Sequence, residues 1–130
     1  MSSSSPSAET DYLSYLEFTS AVEPAVRYRI ARMSFARRLD LVQRVRQFAQ
    51  RIEFLEAGGE MGDKIESSLL GAEVNRIYLE WGLQAVEGLT IDKERATPAL
   101  LIEKGPEALT QEIVNRIRAE CHLSEDERKN

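Results

Sequence analysis

Cys121 and His122 stand side by side near the C-terminus of this 130-residue chain. A thiol beside an imidazole is the pair from which a cysteine nucleophile and its base are built. Adjacent residues on a helix project about 100° apart, however, and no third group that would orient the imidazole accompanies them. The pair therefore reads as a helix end, with a half-buried thiol and a solvated ring. His122 is the only histidine, which excludes a histidine triad or a multi-histidine metal site within one chain. Glu66, Glu73, Glu80 and Glu87 recur at seven-residue spacing and suggest a carboxylate face, but a di-iron bundle also needs Glu-x-x-His pairs, which the chain lacks. Gly58, Gly59, Gly62 and Gly71 make neither a phosphate loop nor a dinucleotide fingerprint. Trp81 with Tyr78 reads as core. No catalytic, cofactor-binding or metal-binding residue is nominated, and the expectation is a non-enzymatic protein without a cofactor.

The elements behind these residues follow from composition and period. The length suits one domain with tails: a flexible N-terminal tail over 1–20, a single helical domain over 21–122 and a polar C-terminal tail over 123–130. A net charge of -5 argues against a dedicated polyanion binder. No apolar run approaches the roughly 20 residues that span a bilayer, and "MSSSSPSAET" lacks the features of a signal peptide. The expectation is an intracellular protein, and a lone cysteine, which forms no internal disulfide, fits a reducing compartment.

From Val26 to Ile30 the apolar residues alternate with Arg27 and Arg29, the pattern of a half-buried strand. Ser34 is placed to cap a helix that runs to Ala57, where Gly58 and Gly59 end it. Leu41, Val45, Phe48, Ile52 and Leu55 form its seam, which Phe35, Leu39, Val42 and Ala49 widen. Asp63 and Glu66 open a second helix expected to reach about Val86, with Leu70, Val74, Ile77, Tyr78, Trp81 and Ala85 on its apolar face. Residues 89–96 are compatible with a small β-hairpin. Thr97 and Pro98 start a short helix stopped by Gly105, and Pro106 opens a last one that buries Leu109, Ile113 and Ile117 and ends near Cys121. The fold class expected is mainly α: a long antiparallel helical hairpin plus two shorter C-terminal helices, with a short N-terminal strand and a possible small β-hairpin.

Arg27, Arg29, Arg32, Arg37, Arg38, Arg44, Arg46 and Arg51 crowd a segment that holds only Glu23, Asp40 and Glu53 in reply. Arg37, Arg44 and Arg51 form one axial stripe, and folding the helices back on each other sets them against Glu80, Glu73 and Glu66. An interhelical ladder of modest strength is expected to fix the register. The rival is a phosphate-binding surface over residues 27–51, disfavoured by the acidic total and by the lack of any nucleic-acid-binding motif. The segment "YLSYLEF" is apolar for a tail. It suits a strand or helix docked on the body, or a segment ordered by a partner, and Tyr12, Leu13, Tyr15, Leu16 and Phe18 are its candidate partner-binding residues.

A further pattern runs through residues 78–130. A helix bearing Trp81 leads to the turn "GLTIDKERAT" (88–97), then Pro98 to Leu101, a helix start at Pro106 to Leu109, and the tail "LSEDERKN". This resembles the tail assembly chaperones and minor tail proteins of phages and prophages, and "VRYRIARMSFARRLDL" is similar to their front. Lys93 departs from the glycine usual after the turn aspartate. The resemblance implies a small, mainly helical, non-enzymatic chaperone. Such a protein binds a tape-measure protein or another tail subunit during assembly, in the cytoplasm of a bacterial host. Alternatives left open are a structural minor tail component, a homo-oligomer, and a nucleic-acid-binding regulator using the arginine-rich segment.

Overall fold

The front of the chain forms two strands rather than one. The computed structural model describes residues 9–58 and 61–129, with side chains over 9–50, 53–54 and 68–122. Strand β1 (Tyr15–Thr19) lies within the segment expected to be tail, and pairs antiparallel with β2 (Arg27–Ala31), Leu16 facing Ile30 and Phe18 facing Tyr28. On the other side of β2 lies β3 (Leu83–Glu87), with Val86 opposite Tyr28 and Leu83 opposite Ile30 across a register shift. The sheet order is β1-β2-β3.

Helix α1 (Phe35–Gly58) is capped by Ser34, whose Oγ accepts from the Arg37 N–H at 3.3 Å. Helix α2 (Met61–Gly82) stops at Gly82, short of the expected Val86, because Leu83 and Val86 gain more from the sheet than from another helical turn. There they enter the core beside Ile30 and Tyr28, and their backbone pairs with β2. A side chain at Gly82 would also press on Ile117, 2.9 Å from the nearest methyl. A two-stranded hairpin follows, β4 (Thr90–Ile91) and β5 (Glu94–Arg95), turned at Asp92 and Lys93, both with positive φ. Thr97 caps α3 (Pro98–Lys104), accepting from the Leu100 N–H at 3.2 Å. Last comes α4 (Glu107–Lys129), which continues past Cys121 through the expected polar tail.

The expected mainly α class is therefore wrong: the protein is mixed α/β, with a three-stranded and a two-stranded antiparallel sheet among its helices. Its core is not the helical hairpin. Leu109, Ile113, Val114, Ile117 and Cys121 of α4 cluster with Val26, Tyr28, Ile30, Leu83 and Val86 of the sheet and with Leu101 of α3. The period of α4 matches this, apolar residues three and four apart facing one side.

Helices α1 and α2 do pack on each other, and the start of α1 meets the end of α2 at Arg37 and Trp81. Among the described residues of their seam, only the base is buried, at Leu41, Leu79 and Trp81. Val45, Phe48, Leu70, Val74 and Ile77 are half-buried, and the Ile52 side chain lies outside the described residues. Phe35, Leu39 and Val42, expected to widen the seam, are exposed, Phe35 by 86%. With α2 as its main neighbour, α1 has cover for one narrow stripe and not for a broad face.

The arginine ladder is not formed where it can be followed. Arg44 pairs with Asp40 on its own helix at 3.0 Å, and Glu80 is held by Arg76 on its own helix at 3.2 Å. The Arg51 and Glu66 side chains lie outside the described residues. Arg37 stacks on the Trp81 ring, 4.6 Å from its centroid, and donates to the Trp81 carbonyl at 2.6 Å. A planar guanidinium on a buried indole is better placed than one reaching for a solvated carboxylate, since less of its field is screened.

Two stability outcomes follow. Ile113→Ala is expected to cost about 2–5 kcal/mol in urea unfolding, while Phe35→Ala changes stability by less than about 0.5 kcal/mol. Arg37→Ala is expected to cost about 1–3 kcal/mol and Glu80→Ala close to nothing, as the Trp81 contact predicts and an Arg37–Glu80 ion pair would not.

Candidate functional site

Alternation along β1 sends Leu16 and Phe18 to the inner face of the sheet, and Tyr15, Glu17 and Thr19 to the outer one. On α4, the stripe next to the core stripe carries Ala108, Gln111, Glu112, Asn115 and Ala119. Between the two runs an open groove of about 840 Å³, lined by Leu16 and Phe18 on one side and this α4 stripe on the other, with Ala21 and Val22 of the β1–β2 turn. Arg116 lies in the groove wall with its guanidinium 4.3 Å over the Phe18 ring.

A carboxylate sets the position of the turn. The Oε1 of Glu112 accepts from the Ser20 hydroxyl at 3.0 Å and from the Ala21 and Val22 N–H groups at 3.1 Å each. Its Oε2 accepts from the Tyr28 hydroxyl at 2.6 Å. Buried Ser20 in turn accepts from the Val22 and Glu23 N–H groups at 3.1 and 3.0 Å, and its own N–H reaches the Val26 carbonyl at 2.9 Å. Helix α4 is thus fastened to a turn some ninety residues earlier in the chain.

These contacts shift both titrating groups. Partial burial pushes the Glu112 carboxyl up, but the donors from Tyr28, Val22, Ser20 and Ala21 outweigh it, and the group ends below the usual carboxylate range. Burial pushes the Tyr28 phenol well above its ordinary value, helped by the hydrogen bond to Glu112 and its charge, with Arg116 opposing. A carboxylate saturated by donors is a clamp, poorly suited to moving protons.

Of the residues nominated from "YLSYLEF", the groove brings together only Leu16 and Phe18. Tyr15 lies on the outer face under Arg29, whose guanidinium is 4.4 Å from the ring centroid. Tyr12 is 60% exposed beneath Arg32, and the carbonyl of exposed Leu13 accepts from Arg32 at 3.4 Å. Sequence reasoning missed Ser20, Tyr28 and Glu112 as a unit, and it missed the groove side of α4. The only local signal was Tyr28 on the buried side of an alternating strand, since a buried phenol calls for an acceptor. Cys121 is buried and His122 exposed. Among the described residues no group of histidine, cysteine and carboxylate side chains is arranged to hold a metal ion, and no helix is long and apolar enough to cross a membrane. The arginines of the outer sheet face are answered by acids: Arg29 by Glu17 at 3.2 Å and Arg27 by Glu87 at 3.9 Å.

The shifts set the pH response. Glu112 has a folded pKa below its unfolded value of about 4.3, so its contribution to stability is present above that pH and is lost as pH falls through the folded value. Tyr28 has a folded pKa above its unfolded value of about 10, so its contribution is present below that pH and is lost as pH rises. Urea unfolding across pH is expected to show both limbs. Glu112→Gln should flatten the acid limb, and Tyr28→Phe the alkaline one.

No protein-family model matches this chain, and no curated protein or solved structure matches it either.

Proposed function

We propose that the protein is a non-enzymatic tail assembly chaperone that takes an apolar segment of a larger tail protein into the groove between β1 and α4. The groove carries this reading: Leu16, Phe18, Ala21, Val22, Ala108 and Ala119 give it an apolar lining, and its size suits a few side chains of a partner. A surface of this kind is covered in use, because exposed apolar grooves favour association. The partner's identity as a tape-measure protein, and the setting in the cytoplasm of a bacterial host, rest on the resemblance of residues 78–130 to tail assembly proteins. The phosphate-binding alternative is weakened by the acids beside Arg27 and Arg29 and by the aromatic rings under Arg32 and Arg37.

Co-expression with a phage tape-measure protein is expected to raise the soluble fraction of that protein. Ala119→Trp, at an exposed position in the groove wall, should abolish the effect and leave the melting temperature nearly unchanged. A tape-measure protein equally soluble alone, or equally protected by Ala119→Trp, overturns the reading.

A further inference from the structure

We infer that the groove's occupant is an extended segment of another protein that adds a fourth strand to the free edge of β1, with alternating apolar and basic residues. This rests on the groove reading and specifies the form and chemistry of what binds there.

Backbone geometry comes first. In an antiparallel pair, residues alternate between those that bond the neighbouring strand and those that face away from it. The Ser20 N–H meets the Val26 carbonyl at 2.9 Å, and the Arg32 N–H meets the Ser14 carbonyl at 3.0 Å. Both belong to the register that pairs Leu16 with Ile30 and Phe18 with Tyr28, so Ser14, Leu16, Phe18 and Ser20 bond to β2. The N–H and C=O groups of Tyr15, Glu17 and Thr19 therefore point the other way. Strand β1 is first in the sheet order, and among the described residues no backbone bond from another segment reaches those three. The strand has no proline, no lysine and no bulge, the usual devices that close an edge to further pairing.

The groove lies beside this edge. A strand laid along β1 would place every second side chain against Leu16 and Phe18, above the small residues Ala108 and Ala119 of α4. Its other side chains would stand beside Tyr15, Glu17 and Thr19 on the outer face. Opposite charges facing across strands are favourable; Arg29 holds the Oε2 of Glu17 at 3.2 Å, and its Oε1, which takes no hydrogen bond among the described residues, selects a basic neighbour on the open side. The same rule disfavours a second copy of this chain: the antiparallel register that overlaps all of β1 sets Glu17 against Glu17. Residues 1–8, "MSSSSPSA", hold no basic residue and no alternating apolar series.

The probe is a short labelled peptide of alternating valine and lysine, compared with a peptide of the same composition in helical spacing. Both are titrated into the full chain, with amide exchange read at Tyr15, Glu17 and Thr19. The alternating peptide is expected to bind at least about tenfold more tightly and to protect those three amides. Glu17→Pro removes a donor that faces away from β2, so it should keep the fold and lose the binding. Thr19→Pro makes the same test without touching the Glu17–Arg29 pair, and thermal melts confirm that each variant is folded. Binding of the helical peptide in the groove, without protection of the edge amides, overturns strand addition and leaves the groove reading standing. Binding of neither peptide overturns both. Self-association in sedimentation that Glu17→Pro abolishes also overturns the proposal, because the occupant is then a second copy.

Discussion

Glu112 joins parts of the molecule that would otherwise have little reason to stay in register. Its two oxygens gather a serine hydroxyl, a tyrosine hydroxyl and two backbone N–H groups, so that α4, β2 and the β1–β2 turn share one carboxylate. A partly buried charge is tolerated because donors replace its water. Moving any of these elements would leave donors or the carboxylate unsatisfied, which costs more than the bonds themselves return. The apolar contacts of Tyr28, Ile30, Ile113 and Ile117 hold the sheet to α4, and the carboxylate decides where along the helix the sheet sits. The groove inherits its shape from that choice, since its walls are the next rows of side chains on the same two elements.

What could be read from the sequence was whatever local period expresses. The caps at Ser34 and Thr97, the alternation through Val26 to Ile30 and the apolar stripe of the last helix each follow from residues a few positions apart. The strand at Leu83 to Glu87 does not. Its apolar residues continue a helical period from Trp81, and only β2, more than fifty residues earlier, offers them a better site. The N-terminal segment stays open between strand, helix and partner-ordered tail for the same reason: "YLEFT" needs β2 beside it to be a strand. Of the five nominated partner-binding residues, the pleat separates Leu16 and Phe18 from the rest, a division that alternation would have supplied had the segment been taken as a strand.

The arginines show how a correct period leads to a wrong partner. Seven-residue spacing on two helices does allow a ladder, yet exposed ion pairs are worth so little that nearby alternatives displace them. Asp40 sits one turn from Arg44, and Arg76 one turn from Glu80, each pair formed within its own helix. For Arg37 the aromatic face and carbonyl of Trp81 are closer and drier than Glu80. Over the described residues, the register between the two helices therefore depends on their buried base and much less on charge matching.

Trp81 is the only tryptophan in the chain, and it lies at that base, covered by the Arg37 guanidinium. Its fluorescence is consequently a local reporter with a known address. A cation over the indole and the exclusion of water set its emission, and both conditions end when the foot of the hairpin leaves the sheet. Further along the helices, Val45, Phe48, Leu70 and Val74 are only half-buried, and no such chromophore lies beside them. Loosening that begins far from the sheet would pass unseen by emission while registering in far-ultraviolet dichroism, so disagreement between the two signals would locate the least stable part of the fold.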